Sequence, residues 1–170
     1  MAEFDLCVVI DDDEDILTAS RLLLRALFAE VLTATDPADA IAALGARSPD
    51  VVLLDANFAR GATNSAEGLV WLDRLLAIDP EMIVILITAH AGVQIAVEAM
   101  KRGAADFVAK PWSNERLVAA VRTGATLRRS RHVAGRAAPA ASHTLLLGSS
   151  PAMARVHSLI ARADRPRPMC

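Results

Sequence analysis

The chain is poor in lysine and cysteine, and it has no apolar run long enough to cross a bilayer. Its 2 cysteines in 170 residues, Cys7 in an apolar stretch and Cys170 at the last position, show neither metal-ligand spacing nor a disulfide framework. Cys7 reads as a small core residue. The apolar run Met82 to Ile87 falls far short of the roughly 20 residues a spanning helix needs. Met1-Ala2-Glu3-Phe4-Asp5 carries acids where a signal peptide would carry Lys or Arg, so a cytoplasmic protein without membrane contact is expected. A formal net charge of -2 and plentiful apolar residues speak against disorder and against bulk attraction to nucleic acid. No Gly-x-x-x-x-Gly-Lys-Ser/Thr occurs, and neither lysine precedes Ser or Thr, which excludes ATP hydrolysis by this chain.

What is present is organised around Val51-Val52-Leu53-Leu54-Asp55. Four consecutive apolar residues, two of them β-branched, predict an interior strand of a parallel sheet, buried on both faces. It ends in a carboxylate. Ligands of open α/β sheets bind beyond the carboxyl ends of the strands, so such a strand delivers its last side chain to the functional edge. Leu6-Cys7-Val8-Val9-Ile10 does the same, running into Asp11-Asp12-Asp13-Glu14-Asp15. Asp13, Glu14 and Asp15 suit the positive end of a helix dipole. Asp11, Asp12 and Asp55 would meet at one spot, and two charges 4 Å apart repel by about 4 kcal/mol at an effective dielectric near 20. Either a pKa rises or a cation sits there; all-oxygen ligation without Cys or His favours a hard ion such as Mg²⁺.

Strands and helices alternate along the chain. Ile16 to Phe28 predicts the first helix, Val31 to Thr35 a second strand, and Asp36-Pro37 the start of an Ala-rich helix through Asp39 to Arg47, stopped by Ser48-Pro49. After the central strand, 56 to 68 reads as a long loop at the carboxyl edge leading into a helix through Leu69, Leu72, Leu75 and Leu76. Met82 to Thr88 is a fourth strand. Ala91 to Arg102 predicts a helix with Val93, Ala96, Val97 and Met100 on its inner face, capped by Gly103. Ala105 to Lys110 is a fifth strand before Pro111, and Ser113-Asn114-Glu115 opens a last long helix through Leu117, Val121 and Leu127. The pattern predicts an α/β fold, a doubly wound five-stranded parallel sheet with five helices. Residues 4–129 form this domain, 130–146 a linker, 147–163 a further helix with Met153, Val156 and Ile160 on one face, and 164–170 an unstructured tail.

Thr88 and Lys110 join the three aspartates at the same edge. A carboxylate can act as nucleophile toward phosphorus, a metal and a lysine neutralise phosphoryl oxygens, and a hydroxyl adds one hydrogen bond. Read blandly, Thr88 only ends a strand and Lys110 is only solvated. Lys110 is nevertheless one of 2 lysines beside 16 arginines, a choice that suits a compact point charge. The basic run Arg128, Arg129, Arg131 and Arg136 fits a solvated linker at a helix end better than a DNA contact.

Four segments, Asp11 to Ile16, Leu53-Leu54-Asp55, Ile87-Thr88-Ala89 and Asp106 to Trp112, resemble the marker segments of bacterial response-regulator receiver domains. The resemblance covers about the first 125 residues and implies a flavodoxin-like sheet of order 2-1-3-4-5. It implies that Asp55 accepts a phosphoryl group from a sensor histidine kinase. Asp12, Asp55 and the backbone carbonyl of Asn57 would bind Mg²⁺, with Asp11 acting through water, and Thr88 and Lys110 would contact the phosphoryl group. Thr88 and Phe107 would form the switch, the Lys110-Pro111 bond would be cis, and a homodimer would form through the fourth helix, fifth strand and fifth helix. Two departures stand out. The loop after Asp55 is longer than the family's common pattern around Arg60 to Ser65, and Leu146 to Met153 resembles the start of the ATPase module of sigma-54-dependent activators. Two other readings compete. Asp11, Thr88 and Lys110 resemble in order the nucleophile, hydroxyl and lysine of haloacid dehalogenase-type phosphatases, which leaves Asp55 without a role. A receiver-like docking or dimerisation module that is never phosphorylated is the other.

Overall fold

Alternation along the strands decides the architecture. In the computed structural model, which describes residues 1–57, 66–89 and 93–137, five strands form one parallel sheet of order β2-β1-β3-β4-β5. They are β1 (Phe4–Ile10), β2 (Phe28–Ala34), β3 (Val51–Asp55), β4 (Val84–Thr88) and β5 (Asp106–Ala109), separated by α1 (Glu14–Leu24), α2 (Pro37–Leu44), α3 (Ala66–Ile78) and α4 (Val93–Lys101) and followed by α5 (Asn114–Ala137). Successive side chains of a strand point to opposite faces. Cys7, Val9, Val51, Leu53, Ile85 and Ile87 therefore enter one core layer, with Leu17 and Leu24 of α1 and Leu117 and Val121 of α5. Val8, Ile10, Val52, Leu54, Val84 and Leu86 enter the other, with Leu44 of α2, Leu72 and Leu75 of α3 and Ala99 of α4. Each such Val, Leu or Ile contributes about 1.5–3 kcal/mol on burial, which holds both layers on the sheet.

The predicted fold class holds, and several element boundaries shift. The first helix ends at Leu24, not Phe28. Leu27 N–H bonds Leu24 O at 2.9 Å, and Phe28 starts β2 in register with Phe4, their ring centroids 5.4 Å apart. An apolar Leu-Phe pair suits a buried strand as well as a helix, so periodicity could not place this boundary. The second helix begins as expected, with Asp36 as N-cap and Pro37 in the first turn, but stops at Leu44 because Gly45 takes φ +57. β4 begins at Val84, two residues after the predicted start, although Met82 and Ile83 are buried too.

The fourth helix turns differently from expectation. Their spacing predicts Val93, Val97 and Met100 on the inner face, yet they are 79%, 46% and 49% exposed, while Ala99 is fully buried. The small residue lets the helix approach the sheet closely, and the larger apolar residues ride on the outer side. Gly103, at φ +106, closes the helix as predicted: its N–H bonds Met100 O and Ala104 N–H bonds Ala99 O.

The fifth helix is longer than expected and continues through the first eight residues assigned to a linker, to Ala137. Arg131, Ala134, Arg136 and Ala137 favour helix and carry it past the weaker formers Ser130, His132, Val133 and Gly135. One compact unit covers Met1–His132. Leu117 and Val121 pack on the sheet, and Leu127 is 39% exposed. Arg128, expected in a solvated run, is 2% exposed and pairs with Asp79. It falls one turn beyond Gly124 and Ala125 on the same buried stripe, so helical geometry carries it inward. The remaining linker, the expected helix at 147–163 and the tail lie outside the described residues.

Candidate functional site

The sheet order places the polar strand ends together. β1 and β3 are neighbours with Ile10 opposite Leu54, so Asp11 and Asp55 leave the sheet side by side. β4 lies next to β3 and pairs Thr88 with Ala109, which puts Lys110 one residue further along the same edge. Asp11, Asp55 and Thr88 are 1%, 3% and 0% exposed, and Asp12 is partly buried. Carboxylate oxygens of Asp11, Asp12 and Asp55 lie within 4.8 Å of one another.

Hydrogen bonds fix Asp11, Lys110 and Thr88 at this edge. Asp11 Oδ1 accepts Asp13 N–H at 3.0 Å, and Asp13 in turn caps α1 through Asp15 N–H at 2.9 Å. The acidic run thus divides as expected: its latter part starts the helix, and its first part faces the edge. Lys110 Nζ donates to Asp11 Oδ2 at 2.6 Å and stands 3.4 Å from Asp55 Oδ1. The Lys110-Pro111 bond is cis, and Lys110 N–H bonds Thr88 O at 2.8 Å. Asn57 Nδ2 donates to Thr88 Oγ1 at 3.4 Å. Phe107 is half-buried against the core layer under α2, α3 and α4.

Electrostatics at this edge is unbalanced. Burial, then the charge of Asp11, pushes the Asp55 carboxyl up to about 6, against the opposing pull of Lys110 and the Asn57 main-chain N–H. Asp11 is also raised, by burial first, although Lys110 and Asp13 N–H oppose it. Desolvation works against the Lys110 ammonium, but its bond to Asp11 and the charges of Asp11 and Asp55 hold its pKa above the ordinary value. Asp55 Oδ1 is buried and accepts no hydrogen bond among the described residues. Three carboxylates this close share a single nearby ammonium, so the donor set suits a small, hard, oxygen-loving cation.

Sequence reasoning missed what fixes the chain just past Asp55. Ala56 is fully buried; its N–H bonds Ile87 O at 2.7 Å and its carbonyl accepts Gly68 N–H at 3.2 Å. Ala and Gly carry no chemical signal, so only the fold reveals this clamp. Residues 58–65, including the expected insertion, lie outside the described residues.

Fold and edge define a flavodoxin-like α/β module with an acidic, lysine-compensated rim. The chain belongs to the response regulator receiver domain family, which it matches over residues 7–122. Its class is that of a two-component response-regulator receiver. It is 33% identical over 156 residues to the C4-dicarboxylate transport transcriptional regulatory protein DctD of Rhizobium meliloti, covering 89% of this chain and 33% of the relative. The nitrogen assimilation regulatory protein NtrX of Azorhizobium caulinodans is 33% identical over 162 residues, 95% of this chain and 34% of that protein. The chain thus spans about one third of the length of these relatives. Among solved structures, the signal receiver domain of a Bacteroides fragilis response regulator is 38% identical, with a TM-score of 0.65, covering 72% of this chain and 97% of that one. NtrX of Brucella abortus in complex with ADP gives a TM-score of 0.72 at 30% identity, over 95% of this chain and 35% of that one.

Proposed function

We propose that Asp55 is the phosphoacceptor, taking a phosphoryl group from a phosphohistidine on a sensor histidine kinase. The observation that carries this is Asp55 itself: a buried strand-end carboxylate whose Oδ1 lies 3.4 Å from the Lys110 ammonium and accepts no hydrogen bond among the described residues. Its oxygen bonds to phosphorus as the phosphorus–imidazole nitrogen bond breaks, and the nitrogen keeps the electron pair. Asp12, Asp55 and the Asn57 carbonyl would hold Mg²⁺, with Asp11 acting through water. When bound, Mg²⁺ supplies the positive charge that neutralises phosphoryl oxygens. Lys110 supplies a second positive charge, and the Thr88 hydroxyl donates a hydrogen bond to one phosphoryl oxygen.

The switch in this reading is Thr88 with Phe107. Drawing Thr88 toward the phosphoryl group releases Asn57 and opens space for the half-buried Phe107 ring. The output is homodimerisation through α4, β5 and α5, where Val93, Val97 and Met100 already form an exposed apolar stripe on α4. α5 would carry the change outward toward the output part of a regulator of the sigma-54 activator type. No helix among the described residues is long and apolar enough to cross a membrane. In this reading, as a substrate of a sensor kinase, the protein works in the cytoplasm.

Intact-protein mass after incubation with acetyl phosphate tests the assignment. One phosphoryl adduct that needs Mg²⁺ and disappears in Asp55→Asn is expected. No adduct on the wild type points instead to a docking module; ester hydrolysis that survives Asp55→Asn but not Asp11→Asn points to a phosphatase.

A further inference from the structure

A buried glycine in the first turn of α3 touches the peptide that follows Asp55. A Cβ placed on Gly68 would lie 2.5 Å from Ala56 Cα, 2.7 Å from Ala56 O and 2.9 Å from Ala56 C. All three are backbone atoms, which cannot rotate aside as a side chain would. The contact is also bonded, since Gly68 N–H donates to Ala56 O at 3.2 Å. An N–H in the first turn of a helix has no partner within the helix, and Ala56 supplies one. On its other side Ala56 N–H is held by Ile87 O of β4 at 2.7 Å. Ala56 is therefore gripped between the sheet and the start of α3, with Asp55 immediately before it and Asn57 immediately after.

We infer that Gly68 is a positioning residue for the acidic site: by closing on Ala56 it sets the Asp55 carboxylate and the Asn57 carbonyl together. The inference rests on the proposed role of these groups as Mg²⁺ ligands. A methyl group at position 68 has to drive α3 and Ala56 apart, and the displacement passes through one peptide to each of two ligands.

The test compares Gly68→Ala with Gly124→Ala in the full 170-residue chain. A Cβ at Gly124 would meet side chains, Ile83 Cγ2 at 2.9 Å and Val51 Cγ2 at 3.3 Å, so that variant disturbs packing in the core layer under α1 and α5 without touching Ala56. Mg²⁺ affinity is measured calorimetrically, and urea midpoints report stability. Gly68→Ala is expected to weaken Mg²⁺ binding about tenfold, the scale seen when groups that orient metal ligands are altered. Gly124→Ala is expected to keep wild-type affinity whatever its midpoint. Wild-type affinity in Gly68→Ala, or equal loss in both variants, overturns the inference. If Gly68→Ala does not fold, hydrogen exchange on the wild type decides. Saturating Mg²⁺ should slow the Gly68 amide more than the Gly124 amide, because coupling between the clamp and the ligands is reciprocal; equal slowing overturns the inference. A wild type that binds no Mg²⁺ and gains no phosphoryl group removes the proposed function and this inference together. A wild type that does both, with Gly68→Ala unaltered, removes only the inference.

Discussion

Lys110 Nζ lies 2.6 Å from Asp11 Oδ2, 99 residues away in the chain, and 3.4 Å from Asp55 Oδ1. One ammonium thus serves two buried carboxylates, and it sits closer to the one that is not the proposed phosphoacceptor. Lys110→Gln keeps a hydrogen-bonding group but removes the charge. At pH 8 it is expected to cost about 2 kcal/mol of stability, less than the 3–5 kcal/mol of a fully buried pair because Lys110 is 17% exposed. Mg²⁺ should restore most of the loss, since a ligand that binds only the folded state stabilises it. Urea unfolding with and without Mg²⁺ measures both.

Asp55 makes the opposite prediction. Its carboxyl titrates at about 6 in the folded protein against an ordinary value of 3.8, so folding disfavours its charge. Below the ordinary value both states are protonated and nothing is lost; as pH rises through about 6 the folded state gives up stability, fully so above it. Asp55→Asn has no such loss. It should be more stable than wild type at pH 8 without Mg²⁺, by on the order of 2 kcal/mol, with the advantage fading below pH 5. Thermal melts across this range check the sign.

Arg128 and Asp79 should respond unequally to removal. The arginine side chain is 3% exposed and the aspartate side chain 24%. Arg128→Met leaves a carboxylate that water can reach and should cost about 1 kcal/mol, whereas Asp79→Asn leaves a buried cation without its counter-charge and should cost about 3 kcal/mol. Burial alone would raise the Asp79 carboxyl, but the Arg128 hydrogen bond, Glu81 N–H and the Arg128 charge outweigh it and hold the pKa below 3.8. The pair's contribution is therefore complete above the ordinary carboxylate value and is lost as pH falls through the lower folded one. Acid unfolding of wild type should show this limb, and Asp79→Asn should lack it.

The outer stripe of α4 is expected to govern assembly rather than stability. Val97 is 46% exposed, so Val97→Glu should change unfolding free energy by no more than about 0.5 kcal/mol. Under the proposed output, the same variant should remain monomeric when the site is loaded with Mg²⁺ and beryllofluoride, while wild type dimerises. Sedimentation equilibrium distinguishes the two.

Legibility followed chemical signal. The run Val51–Asp55 was readable because full burial on both faces demands apolar residues throughout, and because an acid at its end is conspicuous. The same holds for β1 with Asp11 and for β4 with Thr88, which is why Asp11, Asp12, Asp55, Thr88 and Lys110 group together from the sequence alone. The orientation of α4 could not be read: apolar residues lie on both of its faces, and a small alanine rather than the larger side chains meets the sheet. Arg128 escapes a sequence reading because charge usually marks the surface, while helical register turns it inward to pair with Asp79. Gly68 and Ala56 gave no signal at all, since their role lies in what is missing from their side chains.

The most direct test of phosphoryl acceptance locates the acyl phosphate itself. After reaction with acetyl phosphate and Mg²⁺, borohydride reduces an aspartyl phosphate to homoserine, and peptide sequencing by mass spectrometry identifies the position. Homoserine at position 55 alone is the expected result. Homoserine at 11 or 12, or an intact Asp55 in protein that carries a phosphoryl adduct, would contradict it.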